Sequence, residues 1–416
     1  IAKIILMPNS TLKNNTILNR RHFLSIATLA GAGMALSPRF AFAGEPVSDR
    51  KIRIGIIGGR FGAGFYFHEH PNCIVEAVSD LRADRREVLM KTYRCKKSYE
   101  SLEQLLQDKK VDAVFIATGA PDHARHVLAA LNAGKHVLCA VPAAMTLEEC
   151  AELRDAVKRT GLTYMMAETT VYRQNTISVK KMYQEGKFGN IFSAAAEYNH
   201  PGLEVLFWED GAPTWRHGFP PMHYPTHCTA FLIAVTGERL TEVNCMGWGD
   251  GSPLLKDNPY NNPFWNETAF FKTNKGNPFR VEVNWRGALI EVERGEWRGD
   301  KMSFFSAEQG GQNHTIVTAA NTIGHDDAGF QHTSAKVEPY QQPQWWQTDM
   351  LPKPLRHNSG HDGSHTFITH EFIDALINNR SPEVNIHEAL AYTAPGIVAH
   401  QSALKAGECM KVPGFD

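Results

Sequence analysis

The most constraining feature of the sequence is a short β-branched segment that runs directly into glycines. Isoleucines dominate residues 52–57 and predict a buried strand, and four of the next seven residues are glycine. Such a turn presents backbone amides and a helix N-terminus to a pyrophosphate. Arg60 and Ala63 stand where GxGxxG requires glycine, so a structural turn remains an alternative. As a nucleotide loop, the segment would contact a cofactor through Gly58, Gly59, Arg60, Phe61 and Gly62.

A second predicted strand, residues 74–79, ends in Asp80, about 20 residues beyond the glycines. A carboxylate at this position can accept hydrogen bonds from the adenosine ribose hydroxyls, which favours NAD. Arg82 follows two residues later and is suited to meeting a 2′-phosphate, so NADP is the less favoured alternative. The same arginine would otherwise be a solvated residue at a helix start.

Strands and helices then alternate along the chain. Buried strands are predicted at residues 111–117 and 136–139, and helices at 123–132 and 147–160, the pattern of a doubly wound parallel sheet. After residue 173 the pattern changes to strands at 191–198, 241–248, 267–273 and 279–285, with a hairpin turn at 274–277. The sequence therefore predicts an α/β protein: an N-terminal Rossmann doubly wound parallel sheet plus a C-terminal α+β domain with an open, mostly antiparallel sheet.

The N-terminal segment has the pattern of an export signal. Residues 1–43 carry five basic and no acidic residues, and Arg20 and Arg21 precede an apolar stretch and a small-residue cleavage site. The paired arginines resemble a twin-arginine signal and predict a periplasmic protein that leaves the membrane once the signal is removed. Eleven apolar residues are too few for a membrane anchor. The predicted boundaries are a signal at 1–43, a linker at 44–50, an NAD-binding domain at 51–170 and a substrate and oligomerisation domain with a C-terminal helix at 171–416.

Charge and cysteine content exclude several classes of protein. The 43 basic and 44 acidic residues leave no positive field for a nucleic acid. The seven cysteines include no CxxC pair and are odd in number, so neither a zinc ribbon nor a disulfide framework is predicted.

Two segments resemble a known family. Residues 112–118, with Pro121 and His123 after them, and residues 133–139 are similar to the Gfo/Idh/MocA family of NAD(P)-dependent oxidoreductases. The resemblance implies cofactor contacts at Thr118 and His123, a two-domain chain, and a homodimer or homotetramer formed through the exposed sheet face.

The chain departs from that family at one position. The family usually has Glu-Lys-Pro after this strand, with the lysine beside the nicotinamide, whereas this sequence has Ala140, Val141 and Pro142. Residues 141–145 resemble instead the subset that cleaves glycosides with bound NAD, typified by α-N-acetylgalactosaminidases. Residues 165–168 and the pair Tyr172 and Arg173 are similar to that subset's next segment. The resemblance implies cofactor contacts at Val141 and Pro142 and substrate contacts at Tyr172 and Arg173.

The densest group of chemical side chains lies in residues 215–227. Pro225 can start a helix, which places His227 near the positive end of the helix dipole, where a neutral imidazole able to act as a base is favoured. The family resemblance implies that His227 faces the substrate and that Tyr224 contacts it. His223 occupies an aspartate position of the family pattern and is expected to contact the substrate as well. His223 and His227 have a zinc-binding spacing, but His223 precedes the proline and no HExxH glutamate is present, so no metal site is predicted.

Aromatic and histidine side chains elsewhere suggest a sugar site. Trp215 and Trp265 can stack on sugar rings, although sheet core or an oligomer interface explains most such tryptophans better. Around two glycines, His361 and His365 form a second cluster before a helix predicted at residues 366–378. They are suited to binding sugar hydroxyls or the cofactor, or equally to capping the helix.

The sequence therefore predicts an NAD-dependent enzyme that acts on a small sugar or glycoside. The leading hypothesis is glycoside cleavage through transient oxidation at C3, elimination, hydration and reduction, assisted by His227 or Tyr224. A plain sugar dehydrogenase or glucose-fructose-type oxidoreductase is the alternative within the same class. A non-catalytic carbohydrate-binding protein on the same fold is the alternative from a different class.

Overall fold

The computed structural model describes residues 48–308, 311 and 313–415. The predicted signal at 1–43, and most of the linker predicted at 44–50, lie outside the described residues. Within the described part of the chain, no helix combines the length and apolar character needed to cross a membrane.

The N-terminal half contains a six-stranded parallel sheet in the order β3-β2-β1-β4-β5-β6. Its strands are β1 (Ile52–Ile57), β2 (Cys73–Ser79), β3 (Ser98–Tyr99), β4 (Ala113–Ile116), β5 (His136–Cys139) and β6 (Tyr164–Met166). Its helices are α1 (Ala83–Tyr93), α2 (Leu102–Leu106), α3 (His123–Asn132) and α4 (Leu147–Thr160). The strand order reverses between β1 and β4, which opens a ligand crevice at the carboxyl ends of the strands.

The sequence explains these elements locally. The four residues of β4 are all fully buried, as expected for a parallel strand covered on both faces. Helix α4 begins with a capping box in which Thr146 and Glu149 satisfy each other's backbone amides, and it ends at Gly161, whose φ of 66° suits glycine.

The C-terminal half is built on a nine-stranded sheet in the order β16-β15-β14-β13-β7-β12-β11-β10-β17. Strands β7 and β12 pair in parallel, and the other neighbours pair antiparallel. The strands of this half are β7 (Ile191–Asn199), β8 (Trp208–Glu209), β9 (Ala212–Pro213), β10 (Leu240–Trp248), β11 (Asn266–Thr273), β12 (Pro278–Asn284), β13 (Val292–Gly299), β14 (Met302–Phe305), β15 (His314–His325), β16 (Gln331–Tyr340) and β17 (Met410–Lys411). Strands β8 and β9 form a separate hairpin. The helices are α5 (Gln174–Gln184), α6 (Thr226–Thr236), α7 (Gly360–Ile377) and α8 (Ile386–Leu404).

The predicted fold class is confirmed, including the hairpin around residues 274–277 that joins β11 to β12. Two of the predicted elements differ from the structure by two or more residues at one end. The strand expected at 111–117 is shortened to Ala113–Ile116, and α7 begins at Gly360, although His361, Asp362 and Gly363 have left-handed backbone angles inside it.

The last two helices return to the N-terminal half. The Thr369 hydroxyl on α7 donates to the carbonyl of Phe65, and His365 Nδ1 lies 2.9 Å from the carbonyl of Gly64. On α8, the Thr393 hydroxyl accepts from the Ala143 amide at 3.3 Å. These contacts hold the glycine-rich loop and the segment after β5 against the C-terminal half.

Candidate active site

The glycine-rich loop is held too tightly to accept side chains at its first two positions. A Cβ at Gly58 would lie 2.3 Å from the Ala117 carbonyl oxygen, and the φ of Gly58 is 103°. A Cβ at Gly59 would lie 2.6 Å from the Cβ of Arg85 on α1. A Cβ at Gly62 would meet Ala117 at 3.3 Å. The loop therefore has the close backbone packing that a dinucleotide turn requires, despite its imperfect motif.

Asp80 at the end of β2 fixes this loop. Its Oδ2 accepts the Gly59 amide at 2.7 Å, and its Oδ1 accepts the Arg82 amide at 2.9 Å. The carboxylate thus lies at the carboxyl end of the parallel sheet, where a ribose-binding acid belongs.

Arg60 and Arg82 point toward acidic residues of the C-terminal half. Arg82 donates to Asp210 at 2.7 Å and to Asp84 at 3.1 Å, while Arg60 pairs with Glu209. Both arginines are about half exposed.

The carboxyl ends of β4 and β5 supply the next part of the predicted cofactor site. Thr118 and Val141 line a cavity, and the Val141–Pro142 bond is cis. His123 is buried behind them, with Nδ1 2.8 Å from the Pro142 carbonyl oxygen and Nε2 3.1 Å from that of Thr118. This corrects the expected role of His123: it braces the two cofactor loops from behind and does not line the cavity.

The cavity lies between the two halves and has a volume of about 610 Å³. The Rossmann half contributes Phe61, Thr118, Ala140 and Val141. The side chains from the rest of the chain are Arg173, Tyr198, His200, Trp215, Arg216, Tyr224, His227, Glu291, Val292, Glu293, His361 and Asp362. Predicted cofactor and substrate residues from distant parts of the sequence therefore meet at one site.

His227 lies at the start of α6 and is paired with two buried carboxylates. Its Nδ1 is 3.0 Å from Glu168 Oε1 and 3.9 Å from Glu293 Oε2. Burial lowers the pKa of His227, but the charges of Glu168 and Glu293 outweigh that effect and raise it to about 9. The expectation of a neutral imidazole is therefore wrong: the two carboxylates dominate the helix dipole, and His227 is protonated at neutral pH.

Glu293 on β13 is the second anchor of the site. Burial raises its pKa, but the charges of Arg173, His227 and His361, together with a hydrogen bond from Thr170, lower it to about 2. The Arg173 guanidinium lies 3.4 Å from the carboxylate, and the Thr170 hydroxyl donates to it at 3.0 Å. Glu293 is therefore ionised and joins two cations at the cavity wall.

His361 faces His227 across the cavity. The two rings are nearly parallel, with centroids 6.4 Å apart, and His361 Nδ1 lies 2.8 Å from His365 Nε2. Burial, reinforced by the charges of His227 and Arg173, lowers the pKa of His361 despite the opposing charge of Glu293. The φ of His361 is 50°, in the left-handed region that is unfavourable for histidine. A neutral imidazole is thus held in a strained conformation opposite an imidazolium.

Trp215, Arg216 and Tyr224 close the opposite wall. The Trp215 ring packs against Gly119, where a Cβ would lie only 2.7 Å from its Cδ1, and the Arg216 guanidinium carbon is 4.1 Å from the centre of that ring. Burial raises the pKa of Tyr224, which keeps the phenol protonated despite the charge of Arg216. This wall therefore offers an aromatic surface, a cation and a hydroxyl group.

Four predicted contacts lie elsewhere. Tyr172 is fully buried and stacks on Phe367, because β6 and the segment after it run beneath the cavity. His223 packs edge-on against His400, away from the cavity lining. His365 lies behind His361 and stacks on Phe65. Trp265 is fully buried in the sheet, in agreement with the alternative that such tryptophans belong to the sheet core. The expected substrate contacts of Tyr172, His223 and His365 are corrected accordingly.

The sequence prediction missed Glu168, Glu293, Arg216 and Tyr198 as site residues. Glu168 is completely buried, and its Oε1 accepts the Thr170 amide at 2.9 Å. The available signal for Glu168 was a charged residue two positions after a buried strand, since such residues are rarely buried without a partner. Glu293 lies on β13 and Tyr198 on β7, and the sequence does not reveal which face of these strands lines the cavity.

The fold and the cavity together define the class of protein. A Rossmann sheet that faces a mostly antiparallel sheet across a polar cavity is the arrangement of a two-domain NAD(P)-dependent oxidoreductase. Residues 52–168 match the model of the Gfo/Idh/MocA oxidoreductase family, described as its NAD-binding Rossmann fold. The predicted resemblance to this family is confirmed, and the N-terminal domain is an NAD-binding Rossmann domain.

Curated relatives align with nearly the whole length of the chain. A glycosyl hydrolase family 109 protein of Solibacter usitatus is 26% identical, with 95% of this chain and 97% of the relative covered. A second such protein, from Saccharopolyspora erythraea, is 29% identical, with 95% and 94% covered. An alpha-N-acetylgalactosaminidase of Shewanella oneidensis is 24% identical, with 96% of each chain covered.

Solved structures show the same fold. Levoglucosan dehydrogenase in complex with NADH and levoglucosan has a TM-score of 0.69 at 19% identity, with 88% of this chain and 100% of that chain covered. The scyllo-inositol dehydrogenase of Lactobacillus casei has a TM-score of 0.63 at 16% identity, with 88% and 99% covered.

Proposed function

We propose that the protein cleaves a glycoside in a redox-neutral cycle that uses bound NAD. The observation that carries the proposal is the pairing of a protonated His227 with a neutral His361 across a cavity beside the cofactor loops. The full-length similarity to glycosyl hydrolase family 109 proteins supports the same reaction. Valine at position 141, where the dehydrogenases of the family carry a lysine, is also in accord with it.

The residues of the Rossmann half fit NAD. The tight glycine turn at Gly58 and Gly59 leaves the backbone free to approach a pyrophosphate, and Asp80 is placed for the ribose. Thr118 and Val141 would border the nicotinamide end. When bound there, NAD would supply a reversible hydride acceptor for C3 of the sugar, and the C3 hydroxyl proton would pass to solvent water and return in the reverse step.

While C3 is a ketone, the neighbouring C2–H is acidic, and the two histidines divide the proton transfers. His361 takes the C2 proton, the C1–C2 double bond forms and the C1–oxygen bond of the aglycone breaks. His227 donates a proton to the departing oxygen. Water then adds to C1 and returns a proton to His227, while His361, whose acquired proton exchanges with solvent, protonates C2, so both side chains regain their starting states.

The remaining cavity residues orient the sugar. Arg173 and Arg216 provide cationic hydrogen-bond donors, and the Tyr224 phenol can donate to the C3 oxygen as the carbonyl forms. Trp215 offers an apolar face for the C–H surface of a sugar ring.

Mass spectrometry of the native protein for bound NAD, followed by incubation with p-nitrophenyl glycosides in deuterium oxide, tests the reaction. Deuterium at C2 of the released sugar is the expected result, whereas release without exchange would contradict elimination. Net accumulation of NADH would favour the sugar dehydrogenase. A protein that contains no nucleotide and gains no thermal stability from NAD would favour the non-catalytic alternative.

We also propose that residues 1–43 export the protein to the periplasm by the twin-arginine route. A cofactor regenerated within each turnover suits a compartment without a free NAD pool. Fractionation of cells that express the full chain, with Arg20 and Arg21 both changed to lysine as the control, tests this proposal. Periplasmic protein that is lost in the control is the expected result.

We further propose that the chain forms a homodimer or homotetramer through the exposed face of the large sheet. Met246, Trp248 and Phe270 are all more than half exposed on adjacent strands β10 and β11, which favours a covered surface. Light scattering of the purified chain measures the oligomer, and Trp248→Glu should shift it toward the monomer.

A further inference from the structure

A short hairpin of the C-terminal half reaches the cofactor-binding half. Strands β8 and β9 pair over Trp208–Glu209 and Ala212–Pro213, and the two residues between them, Asp210 and Gly211, have φ values of 51° and 78°. Two left-handed residues in succession make this a type I′ turn, which favours Asp-Gly. The turn places two carboxylates, those of Glu209 and Asp210, at the tip of the hairpin.

Three arginines of the Rossmann half converge on these carboxylates. Glu209 accepts from Arg85 Nη2 at 2.7 and 2.6 Å through its two oxygens and also pairs with Arg60. Asp210 accepts from Arg82 at 2.7 Å. The hydrogen bond from Arg85 is the main reason why the pKa of Glu209 is lowered. Both carboxylates are therefore paired with guanidinium groups of the Rossmann half.

The arginines surround the adenosine end of the predicted cofactor site. Arg60 belongs to the glycine loop, and Arg85 packs against Gly59. The backbone amide of Arg82 donates to Asp80, the residue placed for the ribose. A 2′-phosphate on that ribose would need such guanidinium groups, because paired arginines bind phosphate in bidentate fashion.

We propose that Glu209 and Asp210 determine nucleotide selectivity by occupying the arginines that a 2′-phosphate would require, so that the site takes NAD and excludes NADP. The inference rests on the proposed use of NAD. Two mechanisms act together: the guanidinium groups are already neutralised, and a phosphate carrying about two negative charges would be repelled by the carboxylates beside them. Selectivity is thus set by the half of the chain that also forms the sugar site.

The test compares the full chain with Glu209→Gln/Asp210→Asn, which keeps side-chain size and removes both charges. Each protein is equilibrated with equal concentrations of NAD and NADP, and the bound nucleotides are quantified by native mass spectrometry. The ratio of bound NADP to bound NAD should rise at least about 10-fold in the variant, since charge-assisted hydrogen bonds to a phosphate become available. An unchanged ratio in a variant that still binds NAD would overturn the inference.

Two further variants test whether the freed arginines cause the gain in NADP binding. Adding Arg82→Met to the double variant should reduce the gain in NADP binding, because one of the three freed guanidinium groups is then removed. A gain of unchanged size would contradict the contribution of Arg82. Glu185→Gln, which removes an exposed carboxylate paired with Lys187 at 2.7 Å, should leave the ratio unchanged. If the unaltered chain binds neither nucleotide, the proposed function fails as well, an outcome distinct from NAD binding with an unchanged ratio.

Discussion

His223 and His227 lie four residues apart where α6 begins, but His223 is neutral and His227 is protonated at neutral pH. Burial and the neighbouring His400 lower the pKa of His223 to about 3. His227 is equally enclosed, but Glu168 and Glu293 raise its pKa to about 9. His223 lies three residues before α6 and His227 is the second residue of that helix. The carboxylates supplied by distant elements therefore decide which of these neighbouring histidines is charged.

The two shifted pKa values make the stability of the fold depend on pH in opposite ways. The folded pKa of His227 lies above its ordinary value of 6.5, so its ion pairs stabilise the fold below that pH, and this contribution is lost as the pH rises through about 9. The folded pKa of His223 lies below 6.5, so the protein loses stability from this residue as the pH falls from 6.5 toward about 3.

The largest expected effect separates the two histidines directly. His227→Asn should lower kcat for an alkyl glycoside by about 10²–10⁴-fold, because the departing oxygen loses its proton donor. His223→Gln should leave kcat within about 3-fold of the original value and should change the thermal midpoint instead. Steady-state kinetics and thermal unfolding of both variants measure the contrast.

The leaving group provides the control for this prediction. Because p-nitrophenolate leaves readily without a proton, His227→Asn should cost much less activity on a p-nitrophenyl glycoside than on an alkyl glycoside. Equal losses on both substrates, or equal losses in the His223 variant, would contradict the assignment of His227 as the acid.

The next effect concerns the residue opposite His227. His361→Asn should lower kcat by about 100-fold, because the proton acceptor is lost, while the free energy of unfolding stays equal or rises. Asparagine adopts the left-handed backbone more readily than histidine, and such strain costs of order 1–3 kcal/mol. Steady-state kinetics measure the loss in kcat, and urea unfolding measures the free energy of unfolding. A large loss of stability would contradict the inference that the backbone is strained at His361.

A third change alters the charge that distinguishes the two histidines. Glu168→Gln removes one of the carboxylates that raise the pKa of His227, so the proton should be lost at lower pH. The alkaline limb of the pH profile of kcat should move toward neutrality by about one unit, which is a loss of up to about 10-fold at a pH above the new pKa.

Glu267→Gln is the matched control on the other side of α6. Glu267 Oε1 lies 2.8 Å from His400 Nδ1, beside His223. This variant should lower the thermal midpoint and leave the alkaline limb of the pH profile in place. A shift of the limb in the control, or its absence in the Glu168 variant, would show that the two carboxylates do not act as described.

The smallest expected effect concerns Tyr172, which the structure places outside the cavity lining. The Tyr172 hydroxyl is buried without a hydrogen-bond partner among the described residues. Tyr172→Phe should therefore leave the KM for the sugar within about 2-fold and raise the free energy of unfolding by about 1 kcal/mol. A several-fold rise in KM would restore Tyr172 as a substrate contact.

The sequence predicts the cofactor half better than the sugar half, for a physical reason. The glycine loop, Asp80 and the alternating strands are local patterns in which the spacing itself carries the structure. The protonation of His227 depends on Glu168, from the segment after β6, and on Glu293, from β13, and no local pattern encodes their approach. The positions of Tyr172 and His223 beneath the cavity are likewise set by tertiary packing.

The return of α7 and α8 to the glycine-rich loop has a consequence for cooperativity. The N-terminal sheet rests on Thr369, His365 and Thr393 from the end of the chain, and Met166 donates its amide to Val384 at 2.9 Å. During synthesis, the N-terminal sheet therefore cannot make these contacts until the last helices have left the ribosome. Both halves should melt in one calorimetric transition, and a fragment that ends near residue 170 should remain aggregation-prone because surfaces that belong beneath those helices stay uncovered.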